Sequence, residues 1–261
     1  MSAPLPEPLP QPLPVTPSLR LDGRRAIVTG AGRGIGLGCA AAFAAAGAEV
    51  TLVARSSAEI EAAAAQIGPN ARAVTLDVSD IASVRAFFAS HEPFHILVNN
   101  AGTNRPMAMW DVEEAEFDAV LDLNLKAAFF VAQACARRMI ETQTSGSLIH
   151  ISSQMGHVGG PERSLYCASK WGLEGMSKAM ALDLARHGIR SNTLCPTFIE
   201  TALTRPYFED EAFLASVLAK IQLGRLGQVS DLMGAALFLA SDASALMTGT
   251  HMIIDGGWTA A

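Results

Sequence analysis

A hydroxyl, a phenol and an ammonium fall close together between Ser152 and Lys170: Ser153 first, then Tyr166, then Lys170 four residues beyond the phenol. If Ser164 caps a helix, Tyr166 and Lys170 form an i, i+4 pair on one face. A phenol titrates near pH ~10, too high for a base at neutral pH, and a nearby cation lowers that value by favouring the ionised form. Tyr166 could then exchange a proton with an oxygen of a bound molecule. Ser153, on the strand and loop before the helix, could hydrogen-bond the same oxygen. A Tyr-x-x-x-Lys spacing also occurs on amphipathic helices that only pack, so the elements around it must decide.

The chain has 261 residues and is 50% hydrophobic, which suits one large domain with a substantial core. Its net charge of -6 provides no basic surface for nucleic acid or an anionic membrane, so the expected partner is a small molecule. Cys39, Cys135, Cys167 and Cys195 form no Cys-x-x-Cys pair and read as buried, reduced thiols. The histidines show no His-Glu-x-x-His pattern and no ligand spacing with carboxylates, so no metal is expected. Residues 1–17 alternate proline with leucine and other residues, a pattern that favours extended polyproline geometry. Residues 1–19 therefore read as a disordered or surface-lying extension, or a docking peptide for a proline-binding module, ahead of a domain over 20–261. The extension lacks the basic region and apolar core of a secretion signal, and no later stretch is expected to reach transmembrane length. A cytoplasmic location is the expectation.

Residues 25–30 give a short apolar strand that runs into Thr29-Gly30-Ala31-Gly32-Arg33-Gly34-Ile35-Gly36, and an alanine-rich helix over 37–46 follows. Glycines between a buried strand and a helix allow a tight turn, and they let backbone N–H groups approach a pyrophosphate. The second strand, 49–54, ends at Ala54, where an acidic residue would bind ribose hydroxyls and repel a 2′-phosphate. Arg55 follows instead, and with Arg33 and Ser56 it could contact that phosphate. NADP(H) is therefore favoured, with NAD(H) possible because arginine also stacks on adenine. A helix over 58–67, a strand over 72–76 ending at Asp77-Val78, a helix capped by Ser79-Asp80 and a strand over 94–98 follow. Asn99-Asn100-Ala101-Gly102 ends that fourth strand, either bridging strand ends or touching cofactor. Short apolar strands alternating with helices imply parallel pairing, with ligands at the strand C-terminal ends.

A long helix is expected over 117–140, where Asn124 needs a polar partner such as a local carbonyl or a water. A strand over 147–151 delivers Ser152 and Ser153. A helix over 164–187, a strand over 190–194, Cys195-Pro196-Thr197, a mobile-looking segment over 207–220, a helix over 229–240 and a last strand at Ile253-Ile254 complete the chain.

The glycine turn, Asp77, Asn99-Asn-Ala-Gly102, Asn124, Ser153, Tyr166-Cys-Ala-Ser-Lys170 and Asp255-Gly-Gly257 together resemble the short-chain dehydrogenase/reductase family, over nearly everything after Leu19. The resemblance implies a single α/β domain of the Rossmann type, doubly wound, with seven parallel strands between helices, and a homotetramer. It implies that Tyr166 is the general acid/base, Ser153 binds the substrate oxygen, Lys170 binds ribose and tunes Tyr166, and Asn124 holds a water linking Lys170 to solvent. It also implies cofactor contacts from Gly30, Arg33, Gly34, Ile35, Gly36, Arg55, Ser56, Asp77, Val78, Asn100, Ala101, Gly102, Pro196, Thr197, Ile199 and Thr201. Thr197 departs from the pattern, since the family often has glycine after this proline and a β-branched residue restricts the backbone.

The chemistry expected is hydride transfer between nicotinamide and the carbonyl or secondary alcohol of a substrate, with Tyr166 moving the proton. Loops near the nicotinamide carry Asn104, Arg105, Gln154, His157, Glu162, Arg163 and Arg205. That set suits a polyol, a sugar or a hydroxy or keto acid, with an arginine holding a carboxylate or phosphate. A 3-oxoacyl thioester reductase is the enzymatic alternative, and a catalytically silent nucleotide-binding regulator or scaffold is the alternative from another class.

Overall fold

Why the chain builds one sheet is plain from its strands, runs of four to eight residues that are mostly buried except in the two edge strands, with a helix between each strand and the next. A computed structural model describes Leu13 and residues 15–260; most of the proline-rich extension lies outside the described residues. Leu21, almost fully enclosed, is the first core residue. The strands are β1 (Arg25–Thr29), β2 (Glu49–Ala54), β3 (Ala71–Thr75), β4 (Ile96–Asn99), β5 (Gly146–Ile151), β6 (Ile189–Pro196) and β7 (His251–Ile254). They form one seven-stranded sheet in the order β3-β2-β1-β4-β5-β6-β7. Every pairing is parallel. Strand order reverses between β1 and β4, which opens a crevice at their C-terminal ends.

Helices cover both faces. Against one pack α1 (Gly34–Ala45), α2 (Ser57–Ile67) and α8 (Val229–Ala240), through Cys39, Phe43, Ile60, Leu232 and Leu239. Against the other pack α3 (Ile81–Ser90), α5 (Ala128–Glu141) and α6 (Ser164–Leu184), through Phe87, Phe88, Val131, Met139 and Leu184. This is the doubly wound Rossmann-type arrangement expected. Several ends move by a residue or two: β3 starts at Ala71, β4 runs Ile96–Asn99, and α1 starts at Gly34, inside the glycine run.

The expected helix over 117–140 is instead α4 (Glu114–Leu121), a π-helical turn (Asp122–Ala127) and α5. The bulge places Asn124 where it can bond another segment, a use that π-turns often serve. The whole helical run, Glu114–Glu141, is 28 residues, and an 18-residue window within it has mean hydropathy 1.4, long and apolar enough by composition to span a membrane, contrary to expectation. Half of its apolar window is buried within the protein, as in a core helix. The segment expected to look mobile, 207–220, holds a 3-10 turn (Arg205–Glu209) and α7 (Glu211–Leu218), capped by Asp210 accepting from the N–H groups of Ala212 and Phe213. Phe198 packs there against Phe208, Phe213 and Trp258, edge-on or tilted contacts between distant segments that give no local pattern. Ser164 opens α6 but does not cap it; Arg163 occupies the cap position without a side-chain bond.

Candidate active site

A cavity of about 770 Å³ opens along the C-terminal edge of β1, β2, β4, β5 and β6, a size that suits a small-molecule or cofactor site. At its base the chain turns from β1 into α1 through Gly30 and Gly34, at φ +63° and +58°, conformations that side chains rarely adopt. A Cβ on Gly36 would lie 2.5 Å from the Gly30 carbonyl oxygen, so this glycine sits behind the turn and outside the cavity lining, allowing close packing. Asn100 locks the turn from β4: its Nδ2 donates to the carbonyls of Thr29 at 2.9 Å and Gly30 at 3.1 Å. Thr29 Oγ1 accepts from the N–H groups of Asn100 and Ala101. The asparagine therefore bridges strand ends, one of the two roles open from sequence.

The N-termini of α2, α3 and α7 are capped by Ser56, Asp80 and Asp210. The N-terminus of α1 has no side-chain cap and no acidic residue in its first turn. Its free N–H groups and positive dipole end face the cavity, an arrangement suited to a pyrophosphate. Arg33, Ile35, Arg55, Ser56, Asp77, Val78, Ala101, Gly102, Pro196, Thr197, Ile199 and Thr201 also line the cavity. Arg33 leans on Glu59 at 3.5 Å, whereas Arg55 is exposed with no ion-pair partner among the described residues. Thr197 Oγ1 and Asn104 Oδ1 are buried without hydrogen-bond partners, polar atoms that a ligand would satisfy. The uncapped helix, the glycine cradle and these orphaned atoms fit a dinucleotide.

At the other end stand Ser153, Tyr166 and Lys170. Ser153 Oγ accepts from the Met155 N–H and donates to Gln154 Oε1, both at 3.1 Å. Lys170 Nζ donates to the Ile151 carbonyl at 2.8 Å and lies 5.5 Å from the centre of the Tyr166 ring. Burial pushes the Tyr166 phenol up to about 12, while the Ser153 hydroxyl and then the Arg163 guanidinium pull it down. Burial also pushes Lys170 down to about 8. The Lys170 ammonium is anchored on a strand carbonyl beside the ring, and the groups that pull the phenol down most are Ser153 and Arg163.

Asn124 does not line the cavity. Its Nδ2 donates to the Thr103 carbonyl and its Oδ1 accepts from the Thr103 N–H, both at 2.8 Å, with Ser169 Oγ at 3.1 Å. With these bonds it is a positioning residue that clamps the loop after β4 onto α6. Of the proposed substrate residues, Asn104, Arg105, Gln154 and Arg163 line the cavity, and His157 and Arg205 do not. Arg205 turns to Glu200, His157 turns behind the site toward Cys195 and Glu174, and Arg105 is held by Glu116. Tyr207, one of only two tyrosines in the chain, also lines the cavity and was missed because it lies on the segment expected to be mobile.

Residues 30–259 match a family model described as Enoyl-(Acyl carrier protein) reductase. D-erythrulose reductase of Gallus gallus is 36% identical over 93% of this chain and 98% of its own length. A short-chain type dehydrogenase/reductase from Mycobacterium marinum superposes with a TM-score of 0.89 at 38% identity, covering 93% of this chain and 98% of its own. A gluconate 5-dehydrogenase from Burkholderia cenocepacia, solved in complex with NADP and tartrate, superposes with a TM-score of 0.89 at 40% identity, covering 93% and 98%. With the family model matched over residues 30–259 and these relatives over 93% of the chain, the chain belongs to the short-chain dehydrogenase/reductase family.

Proposed function

We propose that the protein is an NADP(H)-dependent oxidoreductase that interconverts the carbonyl and secondary alcohol of a small, hydroxylated, carboxylate-bearing substrate. The observation that carries this is the meeting of Ser153, Tyr166 and Lys170 in one cavity with an uncapped, glycine-cradled helix start. When bound, the nicotinamide supplies or accepts the hydride. The α1 N-terminus would hold its pyrophosphate, Arg55 and Ser56 the 2′-phosphate, and Thr197 and Ile199 the nicotinamide end. In reduction the protonated Tyr166 hydroxyl gives its proton to the developing alkoxide, and Ser153 Oγ donates a hydrogen bond to the same oxygen. In oxidation Tyr166 takes that proton, helped by the positive charges of Arg163 and Lys170.

Arg163 supports the acidic substrate class. It is buried beside Tyr166 and Tyr207, and its only bond among the described residues goes to the Glu162 carbonyl. A buried guanidinium without an ion-pair partner calls for an anion. The structural relative with bound tartrate, a hydroxylated diacid, agrees with this reading. A 3-oxoacyl thioester reductase is the second reading, favoured by the likeness to the 3-oxoacyl-[acyl-carrier-protein] reductase of Escherichia coli, 36% identical over 92% of this chain. Absorbance-coupled oxidation of NADPH and NADH with a keto-sugar acid, a neutral ketose and an acetoacetyl thioester separates these. Preference for the keto acid with NADPH supports the proposal, and activity confined to the thioester overturns it.

Exposed Trp110, Phe117, Phe129 and Trp171, on or beside α4, α5 and α6, support a homotetramer. A monomer mass by light scattering would contradict it. A cytoplasmic location fits a dinucleotide-dependent enzyme whose four cysteines are all free.

A further inference from the structure

Behind the catalytic loop lies a second cluster that the proposed reaction does not use. His157 follows the 3-10 turn Gln154–Gly156, Glu174 sits one helical turn beyond Lys170 on α6, Cys195 is near the end of β6, and His251 begins β7. Ligand atoms of His157, Glu174 and His251 lie within 4.8 Å of one another. Cys195 Sγ lies 3.4 Å from His157 Nε2 and 3.2 Å from Glu174 Oε1, and these two are 3.7 Å apart. Zinc bonds of ~2.0–2.3 Å in a tetrahedron place neighbouring ligand atoms about 3.3–3.8 Å apart. The His157, Glu174 and Cys195 atoms already have that scale, and the exposed His251, within 4.8 Å of His157 and Glu174, has to swing in to complete the tetrahedron.

We propose that His157, Glu174, Cys195 and His251 form a binding site for one divalent ion of the zinc class. Two nitrogens, one oxygen and one sulfur make a borderline donor set that suits Zn²⁺ or Co²⁺ and not Mg²⁺ or Ca²⁺. The Glu174 carboxylate and the Cys195 thiolate balance the ion's two charges, and binding releases the thiol proton to solvent. Thr193 Oγ1 donates to Glu174 Oε2 at 2.9 Å and so aims Oε1 at the cluster, as outer-shell partners do in metal sites. The Ser152 hydroxyl, buried and without a hydrogen-bond partner, borders the Cys195 thiol. His251 is exposed and provides the entry path. Lys178 opposes a cation, but its Nζ is exposed and donates to the Gly249 carbonyl. Four ligands from four separate segments explain why no ligand spacing shows in the sequence.

The full chain, tag-free and stripped with a chelator, tests the site by titration with Co²⁺ and then Zn²⁺. The expected result is one Co²⁺ per chain, a thiolate-to-cobalt charge-transfer band in the near ultraviolet, and displacement by Zn²⁺. His251→Gln should weaken binding by more than about 10-fold and leave oxidoreductase activity in chelator unchanged. Cys195→Ser should remove the band. Sub-stoichiometric uptake, or uptake equally tight in His251→Gln, would overturn the proposal. Should Cys195→Ser fail to fold, the exposed His251 variant decides alone.

Discussion

Replacing Arg163 with methionine should separate two effects with opposite signs. The guanidinium is buried in the cavity wall and, although the Glu162 carboxylate acts on it, forms no ion pair among the described residues, so it raises the free energy of the unliganded protein and binds an anionic substrate strongly. A hydrogen bond to a charged group contributes about 1.5–3 kcal/mol. Its loss should therefore lower kcat/KM for a keto-sugar acid by about 10- to 150-fold, while a neutral ketose loses less than about threefold. Methionine fills much of the arginine stem's volume without the desolvated charge. A gain of about 1 kcal/mol would raise Tm by about 2–4 °C in a chain of this size. Because Arg163 also pulls the Tyr166 phenol down, the oxidation rate should need a higher pH in the variant. Steady-state kinetics on both substrates and a thermal melt read all three. Equal losses on acidic and neutral substrates, or a lower Tm, would refute the role given to this residue.

Other consequences follow from single contacts. Arg55→Asp should weaken NADPH binding by at least about 10-fold, since it removes a cation and adds a carboxylate, one residue beyond the end of β2, that repels a 2′-phosphate; fluorescence titration with NADPH and NADH reads the change in preference. Asn124→Ala leaves Thr103 without its two 2.8 Å bonds and should cost about 1–3 kcal/mol of stability together with a fall in kcat, read by denaturant melts and rates. His150, enclosed by Asn99 and Ser191, is pushed down to about 4 by burial and then by Lys170. A histidine whose folded value lies below its unfolded one contributes stability in full above about pH 6.5, and loses it as pH falls through about 4. Tm should drop across that window, and less steeply in His150→Asn.

The parts of the site closest together in sequence were the most legible. Glycines between an apolar run and an alanine-rich helix, and the Ser153, Tyr166, Lys170 series, announce themselves because each motif depends on local backbone geometry or one helical turn. The helix over 229–240 has the bounds of its apolar run. What the sequence hid depends on long-range contact. Asn124 finds its partner on Thr103 across 21 residues, and Lys170 finds Ile151 across 19. His157 and Arg205 are polar loop residues like Gln154 and Arg163, and only the packing shows that the first two turn away from the cavity. The segment over 207–220 is ordered by aromatic contacts between distant stretches, which no periodicity encodes. The order of pKa effects on Tyr166 was also hidden, since burial outweighs the neighbouring charges only once the helix is docked.

The central claim is that Tyr166 moves the proton at a carbonyl or alcohol oxygen while the rest of the cavity holds cofactor. Tyr166→Phe removes one hydroxyl and keeps the ring. With a substrate that the parent enzyme reduces, the variant's kcat should fall by about 10²–10⁴-fold, while the affinity for NADPH, measured by fluorescence, stays within about twofold. A variant that keeps near-parental turnover, or that loses NADPH binding in step with activity, would contradict the account.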